Sequence, residues 1–282
     1  MYALEIDNLN KRYKNFSLQN INLKLQEGYI LGYVGQNGAG KTTTIKLIME
    51  HLKKDSGEIK VFGKKYKDNN ILYKNMIGYI SDECYFPGNL TFKDLSNILM
   101  DFYVSFDKQK FQFYLEKWGL TKNKYINQLS KGMKMKTMFA SILARDTKLL
   151  VLDEATSGLD PVIRDEILEI LQEYISDGKK SVIFSTHIMS DLEKIADYIY
   201  FINRGKTILY DTKDEMLEKY LLIKGGTLDL TSTIKKKLIG LKESSIGFEG
   251  LINQADKNII GTNILCEVPT IEDIIIYHIK GN

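Results

Sequence analysis

Short apolar or alternating stretches at residues 3–7, 18–25, 29–34, 57–62 and 77–80 predict strands, and the steps Glu27-Gly28 and Asp55-Ser56-Gly57 mark turns between them. From residue 91 to about 144 the apolar period becomes helical. Leu95, Ile98, Leu99 and Phe102 share one helical face, and Phe111, Tyr114, Leu115 and Trp118 share another, which reads as a helical insert. Strand-like runs return at residues 149–152, 181–185, 198–202 and 207–210, with helical patterns at 162–176 and 189–196 between them. Strands alternating with helices imply an α/β fold whose parallel sheet is covered on both faces. Residues 211–221 read as one more helix.

After Lys224-Gly225-Gly226 the pattern changes to short strands around one lysine-rich helix. A boundary is expected between residues 219 and 226, which gives a body over residues 1–220 and a small α/β appendage over 226–282. Near the end, Thr270 is placed to cap a helix, with Asp273 three positions on.

Composition narrows the class without choosing a function. The 282 residues are 44% hydrophobic and 27% charged, as in a globular chain large enough for one core plus a smaller unit. A formal charge of +3 gives no argument for nucleic acid. Cys84 and Cys266 have no metal-like spacing and read as free thiols of a reducing compartment. The start has no signal-peptide pattern, and no apolar run approaches the roughly 20 residues that span a bilayer.

The chemistry begins at Gly35-Gln36-Asn37-Gly38-Ala39-Gly40-Lys41-Thr42-Thr43, between a predicted strand and a predicted helix at residues 43–52. Glycines there let backbone N–H groups converge on an anion, and the helix directs its positive end to the same place. Lys41 is expected on the β- and γ-phosphates, the Thr42 hydroxyl on Mg²⁺, and Thr43 on the α-phosphate. The chain is thus read as a nucleotide-binding protein.

A second constellation ends the strand at 149–152 with Asp153 and Glu154. Two adjacent acids at a buried strand end are costly unless they meet a cation, and an Mg²⁺ held by the phosphate loop is that cation. Asp153 then serves the metal and Glu154 is the base for the attacking water. His187 ends the next strand and is placed to reach the γ-phosphate or that water.

Taken together, these motifs resemble the nucleotide-binding subunit of an ATP-binding cassette (ABC) transporter, over roughly residues 1 to 220. Five motifs occur in family order: the phosphate loop, Ile77-Gly78-Tyr79 leading to the segment that faces the membrane subunit, Leu129-Ser130-Lys131-Gly132-Met133, the Asp153-Glu154 strand, and His187. The resemblance implies a P-loop NTPase of ABC type with a β-rich subdomain, a helical insert and a C-terminal appendage. It implies ATP and Mg²⁺, and two subunits head to tail, with Ser130 and Gly132 touching the ATP of the opposite subunit. Tyr13 matches the residue that stacks on adenine, and Asp160 the one that communicates between sites.

Three positions depart from the pattern. Lys131 and Met133 stand where a glycine and a glutamine are usual, and Asp82 stands where a glutamine contacts Mg²⁺ and water. The subfamily resembled exports drugs, antimicrobial peptides or other amphipathic cargo, which implies an integral membrane partner and a place on the inner face of the cell membrane. The alternative is a soluble ABC-type ATPase acting on ribosomes or DNA.

Overall fold

The computed structural model describes residues 1–65, 71–120 and 124–281. The chain opens with β1 (Tyr2–Arg12), β2 (Ser17–Gln26) and β3 (Ile30–Val34), followed by α1 (Lys41–Ile48), β4 (Ser56–Val61) and the short β5 (Lys64–Lys65). Strands β1, β2, β4 and β5 form an antiparallel sheet in the order β2-β1-β4-β5. Its inner face is built by alternation: in β2, Leu18, Ile21, Leu23 and Leu25 are buried while Lys24 and Gln26 are exposed. This sheet and α1 share a core with the near face of the central sheet, through Leu31, Tyr33, Val151 and Ile202.

Beyond α2 (Ile71–Met76), strand β6 (Ile77–Ser81) leads to the helical insert: α3 (Phe92–Phe102), α4 (Lys108–Lys117) and α5 (Lys131–Leu143). Residues 121–123 of the insert lie outside the described ones. Thr91 and Asp94 cap α3 reciprocally, satisfying two N-terminal donors. Phe92, Leu95 and Leu99 turn inward with Phe111 and Leu115 of α4. The face expected from the sequence is displaced, because Ile98 and Phe102 are 37% and 77% exposed. The inward face of α3 instead begins with Phe92, one turn before Leu95 and Ser96, and continues to Leu99.

The central sheet is completed by β7 (Leu149–Asp153), β8 (Ser181–Ser185), β9 (Tyr198–Asn203) and β10 (Lys206–Thr212), with α6 (Pro161–Ile175) and α7 (Met189–Ile195) in the crossovers. Its order is β10-β9-β3-β8-β7-β6, parallel except for the β9–β10 hairpin. Strands β3, β7 and β8 are buried at every position, as both faces are covered.

The helix expected over 211–221 is shorter. Asp211 and Thr212 pair with β9, α8 spans Lys213–Lys219, and Tyr220 begins β11 (Tyr220–Gly225). With α9 (Ser232–Lys237), β12 (Ile239–Glu243), β13 (Phe248–Asn253), β14 (Leu265–Glu267) and α10 (Ile271–Gly281), β11 builds a sheet of order β12-β13-β11-β14. A division that starts the appendage at residue 226 therefore leaves out one of its two inner strands. One face of this sheet joins the main core through Leu222, Leu251, Ile274 and Tyr277, and the other closes over Ile234 with Ile223 and Ile252.

Candidate active site

Register explains why residues far apart in sequence meet. Tyr33 of β3 lies beside Ser185 of β8, Ser185 beside Asp153 of β7, and Asp153 beside Ser81 of β6. The residues that follow these four strand ends are the phosphate loop, His187, Glu154 and Asp82. All therefore emerge along one carboxyl edge of a parallel sheet, the place where open α/β sheets hold ligands.

The phosphate loop is shaped from below. A Cβ on Gly35 would lie 2.4 Å from the Ile202 carbonyl oxygen, so only glycine lets the loop leave β3 this close to β9. Gly40 has φ 117° and starts α1 with no side-chain cap, so the first amide groups of that helix are not claimed by a capping side chain. Tyr33 donates from its hydroxyl to Thr44 Oγ1 at 3.0 Å, and Thr44 donates on to the Gly40 carbonyl at 3.0 Å. This chain ties the helix start to the strand beneath it. Ala39 is buried under the loop, while Gln36, Asn37, Gly38, Gly40, Lys41, Thr42 and Thr43 face a cleft of about 790 Å³.

Lys41 is 6% exposed and donates from Nζ to the Gly35 carbonyl at 2.7 Å. The same Nζ lies 3.2 Å from Glu154 Oε1, and Glu154 Oε2 lies 2.6 Å from His187 Nδ1. Glu154 thus bridges the lysine and the histidine. Its φ of 55° is unusual for a residue with a side chain, and its N–H donates to the Ser185 carbonyl at 3.0 Å.

Thr42 donates from Oγ1 to Asp153 Oδ1 at 3.3 Å. Burial raises the Asp153 pKa above the usual carboxylate value, and neighbouring Glu154 raises it further, against the lowering effect of Thr42. A buried carboxylate beside the Thr42 and Ser185 hydroxyls, with Lys41 also near, fits a divalent cation between Asp153 and Thr42. Among the described residues no cluster of three His, Cys, Asp or Glu side chains can hold a metal alone. A metal at Thr42 and Asp153 would take its remaining ligands from water or a bound phosphate.

Asp82 is exposed and lines the same cleft. It also lines a second cleft of about 510 Å³ between the body and the insert, with Phe86, Ile126, Lys131 and Met135. Tyr13 is not among the cleft residues. It is 41% exposed, in the turn between β1 and β2, whereas Phe16 and Asn15 of that turn line the cleft beside Gly40. The turn is closed by a hydrogen bond from Tyr13 N–H to the Phe16 carbonyl, 2.7 Å, and Phe16 is the aromatic of this turn that lines the cleft.

Ser130, Gly132 and Asp160 do not line this cleft. Ser130 caps α5, accepting from Met133 N–H at 3.3 Å, and Asp160 caps α6, accepting from Ile163 N–H at 3.1 Å. Lys131 donates from Nζ to the Ser157 carbonyl at 2.7 Å and so joins the start of α5 to the loop after Glu154.

A glycine-framed anion cradle, a buried lysine and a carboxylate–histidine pair on one sheet edge define a P-loop nucleotide-hydrolysing fold. The family model described as ABC transporter matches residues 18–157. The bacitracin transport ATP-binding protein of Enterococcus faecalis is 33% identical over 73% of this chain and 68% of its own length. The lantibiotic transport ATP-binding protein of Streptococcus pyogenes is 34% identical over 77% of this chain and 95% of its own. In structure, cbiO1 from Clostridium perfringens, part of an ABC transporter complex, is similar with a TM-score of 0.66 at 25% identity, covering 76% of this chain and 90% of that one. A dimeric ATP-binding cassette in a post-hydrolysis state with ADP and Pi shares the fold, with a TM-score of 0.67 at 22% identity over 74% of this chain and 98% of that one. The chain belongs to the family of ABC transporter ATP-binding subunits, and it is an ATPase.

Proposed function

We propose that this ATPase works as one of two cassettes that close around ATP and drive amphipathic cargo, of the antimicrobial-peptide or drug kind, outward through a separate integral membrane subunit. The observation that carries the catalytic half is the Lys41–Glu154–His187 arrangement. Glu154 Oε1 faces Lys41, and Oε2 faces His187. When the β- and γ-phosphates take up Lys41 Nζ, Oε1 is left to accept a proton from the attacking water, while His187 keeps the carboxylate oriented. The uncapped start of α1 and the loop amides hold the phosphates, and Thr43 serves the α-phosphate. Thr42 and Asp153, with Asp82 at the rim, would hold Mg²⁺, which neutralises charge on the phosphate oxygens when bound.

Ser130, Gly132 and Asp160 stand outside the cleft, which supports their action on a second subunit's nucleotide. The second cleft supports a docking place for a helix of the membrane subunit, because Asp82 belongs to both clefts and links docking to the nucleotide. Among the described residues no helix is long and apolar enough to cross a membrane, and in the proposed machine the spanning role belongs to a separate subunit, with this chain on its inner face. The relatives named above are transport proteins, and none favours action on ribosomes or DNA.

Crosslinking in native membranes, followed by mass spectrometry, tests the partner. Recovery of an integral membrane protein is expected, and recovery of ribosomal proteins or DNA instead overturns the transport reading. Glu154→Gln tests the chemistry: hydrolysis falls on the order of 10² to 10⁴-fold while ATP binding is kept. Unchanged steady-state hydrolysis in that variant removes Glu154 from the catalytic role.

A further inference from the structure

A smaller cavity, of about 190 Å³, lies far from the phosphate loop, where α4 of the insert meets the ends of α5 and α6. Its walls carry Lys110, Trp118, Arg145, Glu173, Tyr174 and Lys180. Arg145 is only 9% exposed, yet its Nε has no hydrogen-bond partner, and among the described residues no carboxylate pairs with it. The guanidinium carbon lies 3.9 Å from the centre of the Tyr103 ring, a contact that offsets part of the cost of burial but satisfies none of the donors in the guanidinium plane. A buried cation without an anion is the uncommon case, and it asks for a partner.

The bland explanation is that Arg145 serves the negative ends of α5 and α6, which finish at Leu143 and Ile175. A side chain in that role donates to the free carbonyls of the last turn. Nε of Arg145 donates to none. The other charges around the cavity are accounted for. Lys180 lies 3.5 Å from Asp177 and over the Tyr174 ring, and Glu173 is held by Lys117 at 3.4 Å. Lys110, from α4, adds a second cation to the wall opposite α6.

We propose that this cavity is a binding site for one small oxyanion of the phosphate class, held by Arg145 from the body and Lys110 from the insert. The planar guanidinium fork matches a multi-oxygen anion, and a space this small suits a free anion better than a chain end. An occupied site joins α4 of the insert to the segment between α5 and β7 by charge. Inorganic phosphate, which ATP hydrolysis releases, is an anion of this class. The site does not depend on turnover or on the membrane partner.

The chain contains a single tryptophan, and it lines this cavity. Trp118 fluorescence therefore reports the site directly, apart from phosphate bound at the P-loop. The test titrates the full chain, in a Lys41→Ala background, with inorganic phosphate and with sodium chloride at matched ionic strength. A saturable change with phosphate alone is expected, with half-saturation moved about tenfold or more by Arg145→Gln. A response equal to that of chloride, no response, or an undiminished response in Arg145→Gln overturns the proposal. If Arg145→Gln loses the wild-type far-ultraviolet dichroism, the exposed Lys110→Glu decides in its place, and binding as tight as in the parent overturns the proposal.

Discussion

Asp153 carries a cost in the ligand-free fold. Burial raises its pKa, so the ionised form destabilises the folded chain. The sign follows from proton linkage. With the folded pKa above the unfolded one, the penalty is absent below the unfolded value, near 3.8, and grows as pH rises through the folded value. Asp153→Asn should therefore raise the melting temperature of the ligand-free chain at neutral pH, with the gain shrinking to nothing as pH falls below that of a free carboxylate. Thermal scans across pH check this, and a gain that persists in acid contradicts the burial account. The same variant should lose the stabilisation that Mg²⁺ with ATP gives the parent. At the other end of the cleft, Phe16→Ala should weaken ATP binding on the order of tenfold through lost base stacking, while Tyr13→Ala leaves it within about a factor of two. Equal losses, measured by titration with a fluorescent ATP analogue, would return the adenine contact to Tyr13.

At the scale of elements, what was legible depended on whether the signal was local. The phosphate loop, the Asp153-Glu154 strand end and the Thr270–Asp273 cap are each written within a few consecutive residues. Thr270 Oγ1 and Asp273 Oδ2 are 2.7 Å apart, and Asp273 N–H donates to Thr270 Oγ1 at 3.0 Å. The stretch 211–221 shows the opposite case. Met216, Leu217, Tyr220 and Leu221 have helical spacing, but backbone pairing with β9 on one side and β13 on the other claims both ends of the stretch. Long-range partners outweigh local period there, and no single-sequence pattern contains them. The cap matters because α10 buries Ile271, Ile274 and Ile275 against the body, and its first N–H donates to Glu193 Oε1 of α7 at 3.1 Å. Thr270→Ala should cost about 1 kcal/mol, read as a lower urea midpoint with an unchanged slope. A change in slope would mean that the C-terminal sheet unfolds separately from the body.

For the molecule as a whole, the decisive geometry is what the cleft lacks. Lys41, Glu154 and His187 line the cleft, while Ser130 at the start of α5 lies outside it, and under the proposed pairing one chain carries two half-sites that face different nucleotides. Two defects placed on different halves should then complement each other. A Lys41→Ala chain keeps its Ser130 half, and a Ser130→Arg chain keeps its phosphate loop. Either variant alone should hydrolyse almost no ATP, since both sites of its homodimer carry the lesion. Mixed in equal amounts, random pairing makes about half of the dimers mixed, each with one intact composite site, for about one quarter of the wild-type rate if sites act independently. Steady-state hydrolysis by the mixture measures this directly. Recovery near that fraction supports a symmetric pair of identical chains sharing each ATP. If the mixture stays as inactive as its components while wild-type chains mixed in parallel hydrolyse ATP, the two halves do not meet across identical chains. A different cassette must then supply the opposite half, and the Lys41–Glu154–His187 site of this chain would be completed by that chain's helix start.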